Sequence, residues 1–299
     1  LTLELASAAR QIAAAEGGEI CALTVNDDQQ AVELSAMGLK VCSISSSGLS
    51  TADVACLADA LQKVADQLGV STVLLSSGRR GKELAGRLAE AWDAGCLTDV
   101  KGFSIEGGQV ASVRNALGGA TVATQVIKSP RRVIALSPKS FAPVEGAGGG
   151  SILPIEVSVS PPSVKLLETR SKAGGLVDIQ EAERLVIVGQ GVEKQEYLAV
   201  VEKIARSLGA VVACSKPVAS DKKWLPEDRI VGLSGKICKP QLALVLGVSG
   251  QVQFTVGVRE ARVVASINID ENAYMNKISD YVLVADLRDV LPELVNALA

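Results

Sequence analysis

Histidine is absent from all 299 residues, and that gap closes several routes to chemistry. A Cys/His zinc site, a Ser–His pair and a Cys–His pair all need an imidazole. Six cysteines are present, at positions 21, 42, 56, 96, 214 and 238, but no CxxC brings two together. Cysteines scattered through apolar stretches such as "GEICALTV" read as small core residues. Long apolar runs are missing too. None approaches the roughly 18–20 residues that cross a bilayer, so no membrane insertion is expected. No basic n-region with an apolar h-region opens the chain, which reads as cytoplasmic or organelle-matrix. Positive charge is not in excess either: a net charge of −3 and a pI near 5.3 argue against nucleic acid as a partner. The acidic residues are dispersed, without paired catalytic carboxylates. A borrowed cofactor becomes the leading idea for any chemistry.

What is present is enough for two folded domains. With 48% apolar and 21% charged residues the chain can bury sizeable cores. "LTLELASAARQIAAAEGG" reads as a helix with a Gly-Gly stop. A helix with no strand before it breaks the expected α/β alternation, so a leading strand is expected ahead of it. "EICALTV" and "KVCSIS" read as buried strands around the helix "DDQQAVELSAMG". "STADVACLADALQKVADQLG" is a capped helix, "VSTVLLSS" a strand and "GRRGKELAGRLAEAWDAG" another helix. This alternation implies parallel strands with right-handed crossovers. Near residue 100 the pattern changes: "FSIEGGQVASVRNALGGATVATQVI" has Gly-Gly turns between period-2 segments and predicts antiparallel hairpins before "RRVIALSP". Residues 142–182, rich in Gly, Ser and Pro, read as the interdomain crossing, partly strand.

Alternation then resumes. Strands are expected at "RLVIVG", "AVVACS", "IVG", "LALVLGVS", "RVVASINID" and "YVLVADL". Helices are expected at "VEKQEYLAVVEKIARSLG", "GQVQFTVGVREA" and "RDVLPELVNALA". The fold class is α/β with two domains, each on a mostly parallel sheet. The N-terminal α/β domain with its crossing spans 1–180, and a doubly wound C-terminal domain spans 181–299. In such sheets ligands settle at the carboxyl ends of the strands. Those ends carry Gly189-Gln190-Gly191, Ser215-Lys216, Ser234-Gly235-Lys236, Ser249-Gly250, Asn268 and Asp286. Small residues, hydroxyls, helix starts and a cation suit a phosphate-bearing ligand. Each element alone is also an ordinary turn; their recurrence on successive strands favours a site.

The run "ACSKPVASDKKWLPEDRIVGLSGKICKPQLALVLGVSGQVQFTVGVREARVVASINIDENAYMNKISDYVLVADLRDVLPEL" resembles the alpha (large) subunit family of electron transfer flavoproteins. "SKPVASDKKW" leans toward the branch of carnitine-reduction and nitrogen-fixation flavoproteins. "TLELASAARQIA", "RRGKELAGRLA" and "GGATVAT" are similar to the family's N-terminal domain, and the family carries a strand before that first helix. The resemblance implies a heterodimeric electron carrier that binds FAD in the second domain. Its partners would be a beta subunit, holding AMP or a second FAD, and a dehydrogenase or quinone reductase as donor or acceptor. Turnover would belong to those partners rather than to this chain. A mobile second domain would swing the flavin between them.

Matched residue by residue, the resemblance assigns FAD contacts to Ser215, Lys216, Ser234, Gly235, Ser249, Gly250, Gln253, Phe254, Asn268 and Asp286. Ser234, where the family has Thr, keeps the hydroxyl for flavin N5. Lys216 replaces an Arg beside the ring, keeping charge but losing the planar fork. Phe254 replaces a His aimed at the O2/N1 edge, so negative charge on a reduced ring would be less stabilised. Leu233 and Gln190 replace a Gln and an Arg. Ser249 and Gly250 would lie by the phosphate chain and ribityl, while Gln253, Asn268 and Asp286 would meet the ribityl or adenosine portion. Arg79, Arg80 and Lys82 fall where the family packs subunits, or on a solvated helix face. Trp92 and Trp224 read as core or interface fillers. Two other readings stay open: a non-redox scaffold subunit with a degenerate flavin site, and a nicotinamide-dependent oxidoreductase. A flavin absorbance band separates the carrier from both.

Overall fold

Asp53 shows how the first half is assembled from local rules. Its carboxylate accepts from the N–H groups of Ala55 and Cys56 and so caps the helix that follows. Its other oxygen accepts from Ser163 and Val164, fastening a distant extended segment to the same helix start. In this computed structural model the described residues are 2–106, 109–117, 121–144, 146, 148–168 and 178–298. The chain divides into two compact units, residues 1–170 and 171–299.

The first unit runs α1 (Thr2–Glu16), β1 (Ala22–Val25), α2 (Asp28–Ala36), β2 (Lys40–Ile44), α3 (Val54–Leu68), β3 (Thr72–Ser76) and α4 (Arg79–Ala91). It continues β4 (Gly95–Glu106), β5 (Gln109–Ala116), β6 (Thr121–Gln125), β7 (Arg132–Leu136) and β8 (Ser151–Pro154). A three-stranded parallel sheet has the order β1-β2-β8, and a five-stranded sheet the order β3-β7-β4-β5-β6. In the latter β3, β7 and β4 are parallel, while β4-β5-β6 are the antiparallel hairpins the Gly-Gly turns predict. The switch happens within β4. Asp99 sits at φ +58°, where its N–H donates to Ser77 Oγ and its carboxylate accepts from that hydroxyl and pairs with Lys82 Nζ. The register slips there, freeing the second half of β4 to pair with β5.

Faces of α3 and α4 bury Leu57, Leu61, Val64, Leu84 and Leu88 against Cys42, Ile44, Val133 and Ala135. That core therefore touches both sheets. Trp92 is fully buried in it, its indole N–H donating to Asp66. Among the described residues no strand precedes α1. Among those residues β1 bonds only β2 and β3 only β7, so each keeps one unpaired edge.

The second unit runs β9 (Arg184–Val188), α5 (Tyr197–Ser207), β10 (Val211–Cys214), α6 (Lys216–Ser220), β11 (Leu242–Leu246) and α7 (Val252–Thr255). It ends β12 (Val263–Asn268), α8 (Tyr274–Lys277), β13 (Tyr281–Val284) and α9 (Leu287–Ala297). Its five-stranded sheet is wholly parallel, in the order β10-β9-β11-β12-β13. Continuous apolar runs such as Leu185–Val188 follow from cover on both faces. Val186, Val188, Leu244 and Leu246 pack toward Val201, Ile204 and Leu291, from α5 and α9. Leu185, Ile187 and Val245 pack on the other face toward Phe254, Val258 and Met275.

Two expected elements are corrected. "IVG" is not a strand of the sheet: Ile230 and Val231 make isolated bridges, to Cys214 and Lys236. The helix expected over "GQVQFTVGVREA" shrinks to Val252–Thr255. Gly257 explains the stop. A Cβ there would stand 2.4 Å from Gly232 N, so this stretch is shaped by a neighbouring loop rather than by helix periodicity. The short helices α6 and α8 were not expected from the pattern.

Candidate functional site

Counted from its first strand, the second unit's sheet has the order 2-1-3-4-5, so the winding reverses between β9 and β11. A crevice outside the carboxyl ends of the strands opens at such a switch point. Two turns meet there. Gly189 N–H donates to Leu246 O at 2.8 Å, and Gly191 N–H to Gly247 O at 2.9 Å. A Cβ on Gly189 would stand 2.2 Å from Gly247 O. Only glycine lets the two backbones approach so closely.

Past Gly247 the main chain is rich in unused donors. Among the described residues the N–H groups of Ser249, Gly250, Gln251, Val252 and Gln253 have no acceptor. Unmatched main-chain donors are uncommon in folded proteins unless water or a ligand takes them. The loop is nonetheless fixed from beneath. Asn268 Nδ2 donates to Val248 O at 2.9 Å, and Met275 N–H to Ser249 O at 3.1 Å. Gly250, at φ +85°, has Met275 N where a Cβ would fall, at 2.2 Å.

A second loop joins this one. Val231 N–H donates to Cys214 O, Gly232 N–H to Lys236 O, and Leu233 N–H to Gln253 O at 2.8 Å. Ser234 and Gly235 are exposed in that loop, and Leu233 is 52% exposed. Ser215 follows β10, its N–H bonded to Val188 O at the end of β9. It occupies the cap position of α6, but its hydroxyl makes no cap bond. The hydroxyls of Ser215, Ser234 and Ser249 have no partner among the described residues. Lys216 is exposed and has no ion pair among them.

The strand ends thus bring together Ser215, Lys216, Ser234, Gly235, Ser249, Gly250, Gln253 and Asn268. Asn268 is partly committed, since its Oδ1 accepts from Asp270 N–H. Asp286 follows β13, two strands from β11, but a Cβ on Gly247 would meet its neighbour Leu287 at 3.1 Å. Its carboxylate caps α9 through Arg288 N–H and pairs with the Arg288 guanidinium. The guanidinium hydrogen bonds, followed by the main-chain one, hold that carboxyl below the usual range. Phe254 stands apart. The residue is 7% exposed and packs in the core with Val245, Val258 and Met275.

Sequence reasoning missed Lys222. Its ammonium donates to Gln190 O at 3.1 Å and Val192 O at 2.8 Å, beside the Trp224 ring at 4.2 Å. No motif marked it, because its partners are carbonyls some thirty positions earlier. Cys214 is fully buried, and that burial pushes its thiol up to about 12. Among the described residues no His/Cys/Asp/Glu cluster could hold a metal, and no helix is long and apolar enough to cross a membrane.

Free N–H groups, unbonded hydroxyls and glycine-tight turns at a switch point define a nucleotide-type cofactor domain, and the donor set fits the phosphates and polyol of a flavin dinucleotide. Comparison with known proteins gives the family. Residues 178–259 match the electron transfer flavoprotein FAD-binding domain, and residues 1–161 the electron transfer flavoprotein domain. The electron transfer flavoprotein subunit YdiR of Escherichia coli (strain K12) is 35% identical over 229 residues, 76% of this chain and 73% of that protein. Protein FixB of Salmonella typhimurium is 34% identical over the same shares, and protein FixB of Escherichia coli O127:H6 33%. The chain belongs to the electron transfer flavoprotein family as an alpha-type subunit, with FAD as its cofactor.

Proposed function

We propose that this chain pairs with a beta subunit and carries electrons between a dehydrogenase and an acceptor, leaving substrate turnover to those partners. The run of unused N–H groups from Ser249 to Gln253 carries the reading. When bound, FAD supplies the redox chemistry. The chain's own residues hold and tune it. In this assignment the domain is residues 181–299, and Ser249 with the adjoining N–H groups takes the phosphates. Ser215 and Gln253 add polar contacts, and Ser234 and Gly235 face flavin N5. Lys216 provides positive charge, and Asn268 and Asp286 brace the loops on which the polyol and adenosine rest. Phe254 acts from the core, shaping the loop rather than donating to the ring. A cytoplasmic location belongs to the same proposal. It is supported by the six cysteines, which form no disulfide among the described residues and so suit a reducing compartment.

Co-expression with a beta-type subunit tests the whole reading. A yellow complex with one FAD held by this chain, reduced by a dehydrogenase and reoxidised by a separate acceptor, is the expected result. A stable heterodimer that stays colourless after incubation with FAD favours the scaffold reading instead.

A further inference from the structure

We propose that Lys222 is a positioning residue for FAD, fixing the turn after β9 and lending its charge to the phosphate end of the site; this rests on the FAD assignment above. Lys222 follows α6, its own N–H bonded to Pro217 O at 3.0 Å. From there the side chain reaches the Gly189–Val192 turn and takes the carbonyls of Gln190 and Val192. The same turn is bonded to the β11 loop through Gly189 N–H and Gly191 N–H. Gln190 N–H has no acceptor among the described residues. One ammonium therefore clamps a switch-point turn that has a free donor and sits against the phosphate loop.

The charge balance separates a positioning role from simple bracing. Lys236, near the same strand ends, pairs with Asp178 at 2.7 Å, and Arg288 pairs with Asp286. Lys222 is half-buried, and its partners are two carbonyls and the face of Trp224. It has no carboxylate partner among the described residues. Carbonyls satisfy hydrogen bonds but leave the unit charge uncancelled, and a part-buried charge gains most from an opposite one nearby. FAD is the anion that the site is built to receive.

The test uses the full chain with its beta subunit, stripped of flavin, in the wild type, Lys222→Gln and Lys222→Arg. FAD affinity is read from flavin fluorescence, and fold stability from the urea midpoint of the flavin-free protein. Lys222→Gln should weaken FAD at least tenfold with the midpoint little changed, and Lys222→Arg should recover affinity to within about threefold of wild type. Unchanged affinity in Lys222→Gln overturns the proposal. So does a loss that tracks a lowered midpoint and is not rescued by arginine, which would make Lys222 a brace of the fold. A wild-type protein that binds no FAD overturns the underlying FAD assignment instead, a result readable before any variant is made.

Discussion

Phe254 and Ser234, both singled out in the sequence, stand in opposite surroundings. The phenyl ring is core, packed with Val245, Val258 and Met275. Truncation to Ala should cost about 3–5 kcal/mol in urea unfolding, the range for emptying a buried aromatic position. Ser234 is exposed and unpartnered. Ser234→Ala should leave the urea midpoint within about 0.5 kcal/mol of wild type while shifting the flavin absorption maximum or reduction potential of the loaded complex. A spectrum and potential identical to wild type would remove Ser234 from the site. The sequence showed both residue types, but it could not show that the phenyl faces inward. That follows from Gly232 and Gly257 drawing the neighbouring loop over the short helix, a contact between segments distant in sequence.

At the scale of elements, most of what folds locally was legible. Gly-Gly turns between alternating segments gave the β4-β5-β6 hairpins, and apolar runs bounded by Gly gave β9 and β11. What was lost depended on remote partners. "IVG" has the composition of a strand, but it meets β10 through a single isolated bridge, Ile230 to Cys214. The ion pair joining α1 to β7 is a further remote link with a measurable consequence. Glu16 accepts from Arg132 at 2.9 Å and from Val110 N–H at 3.1 Å, with both charged side chains largely shielded. The guanidinium hydrogen bond, outweighing burial, holds Glu16 below its usual range. A carboxyl lowered on folding stabilises above its unfolded value, near 4.3, and loses that contribution as pH falls through the folded one. The stability gap between wild type and Glu16→Gln should therefore be level from pH 6 to 8 and shrink below about pH 4. A gap that grows on acidification would contradict this.

For the molecule as a whole, family membership assigns the cofactor to the second unit, and the two units should register its arrival differently. FAD at a hundred times its dissociation constant should add about 2.7 kcal/mol to the unfolding of residues 171–299. Hydrogen exchange should slow at the turns around Gln190, Ser234 and Ser249. Protection gathered instead in β1 to β8 would move the binding site out of the second sheet. The candidate site was readable in advance as a set of positions, because parallel strands deliver their ends to one edge. The clamp from Lys222 and the commitment of Asp286 to Arg288 were not, since each depends on which neighbour a flexible side chain reaches.

The cradle after β11 is made of peptide groups held in place by Gly189, Gly247 and Gly250, and peptide groups do not mutate. Side chains beside it, Leu233 and Gln190 among them, can be exchanged without taking away a single main-chain donor. On the proposed assignment, replacing a side chain beside the flavin would change how readily the yellow passenger accepts an electron, while the peptide donors under its phosphates stay where they are.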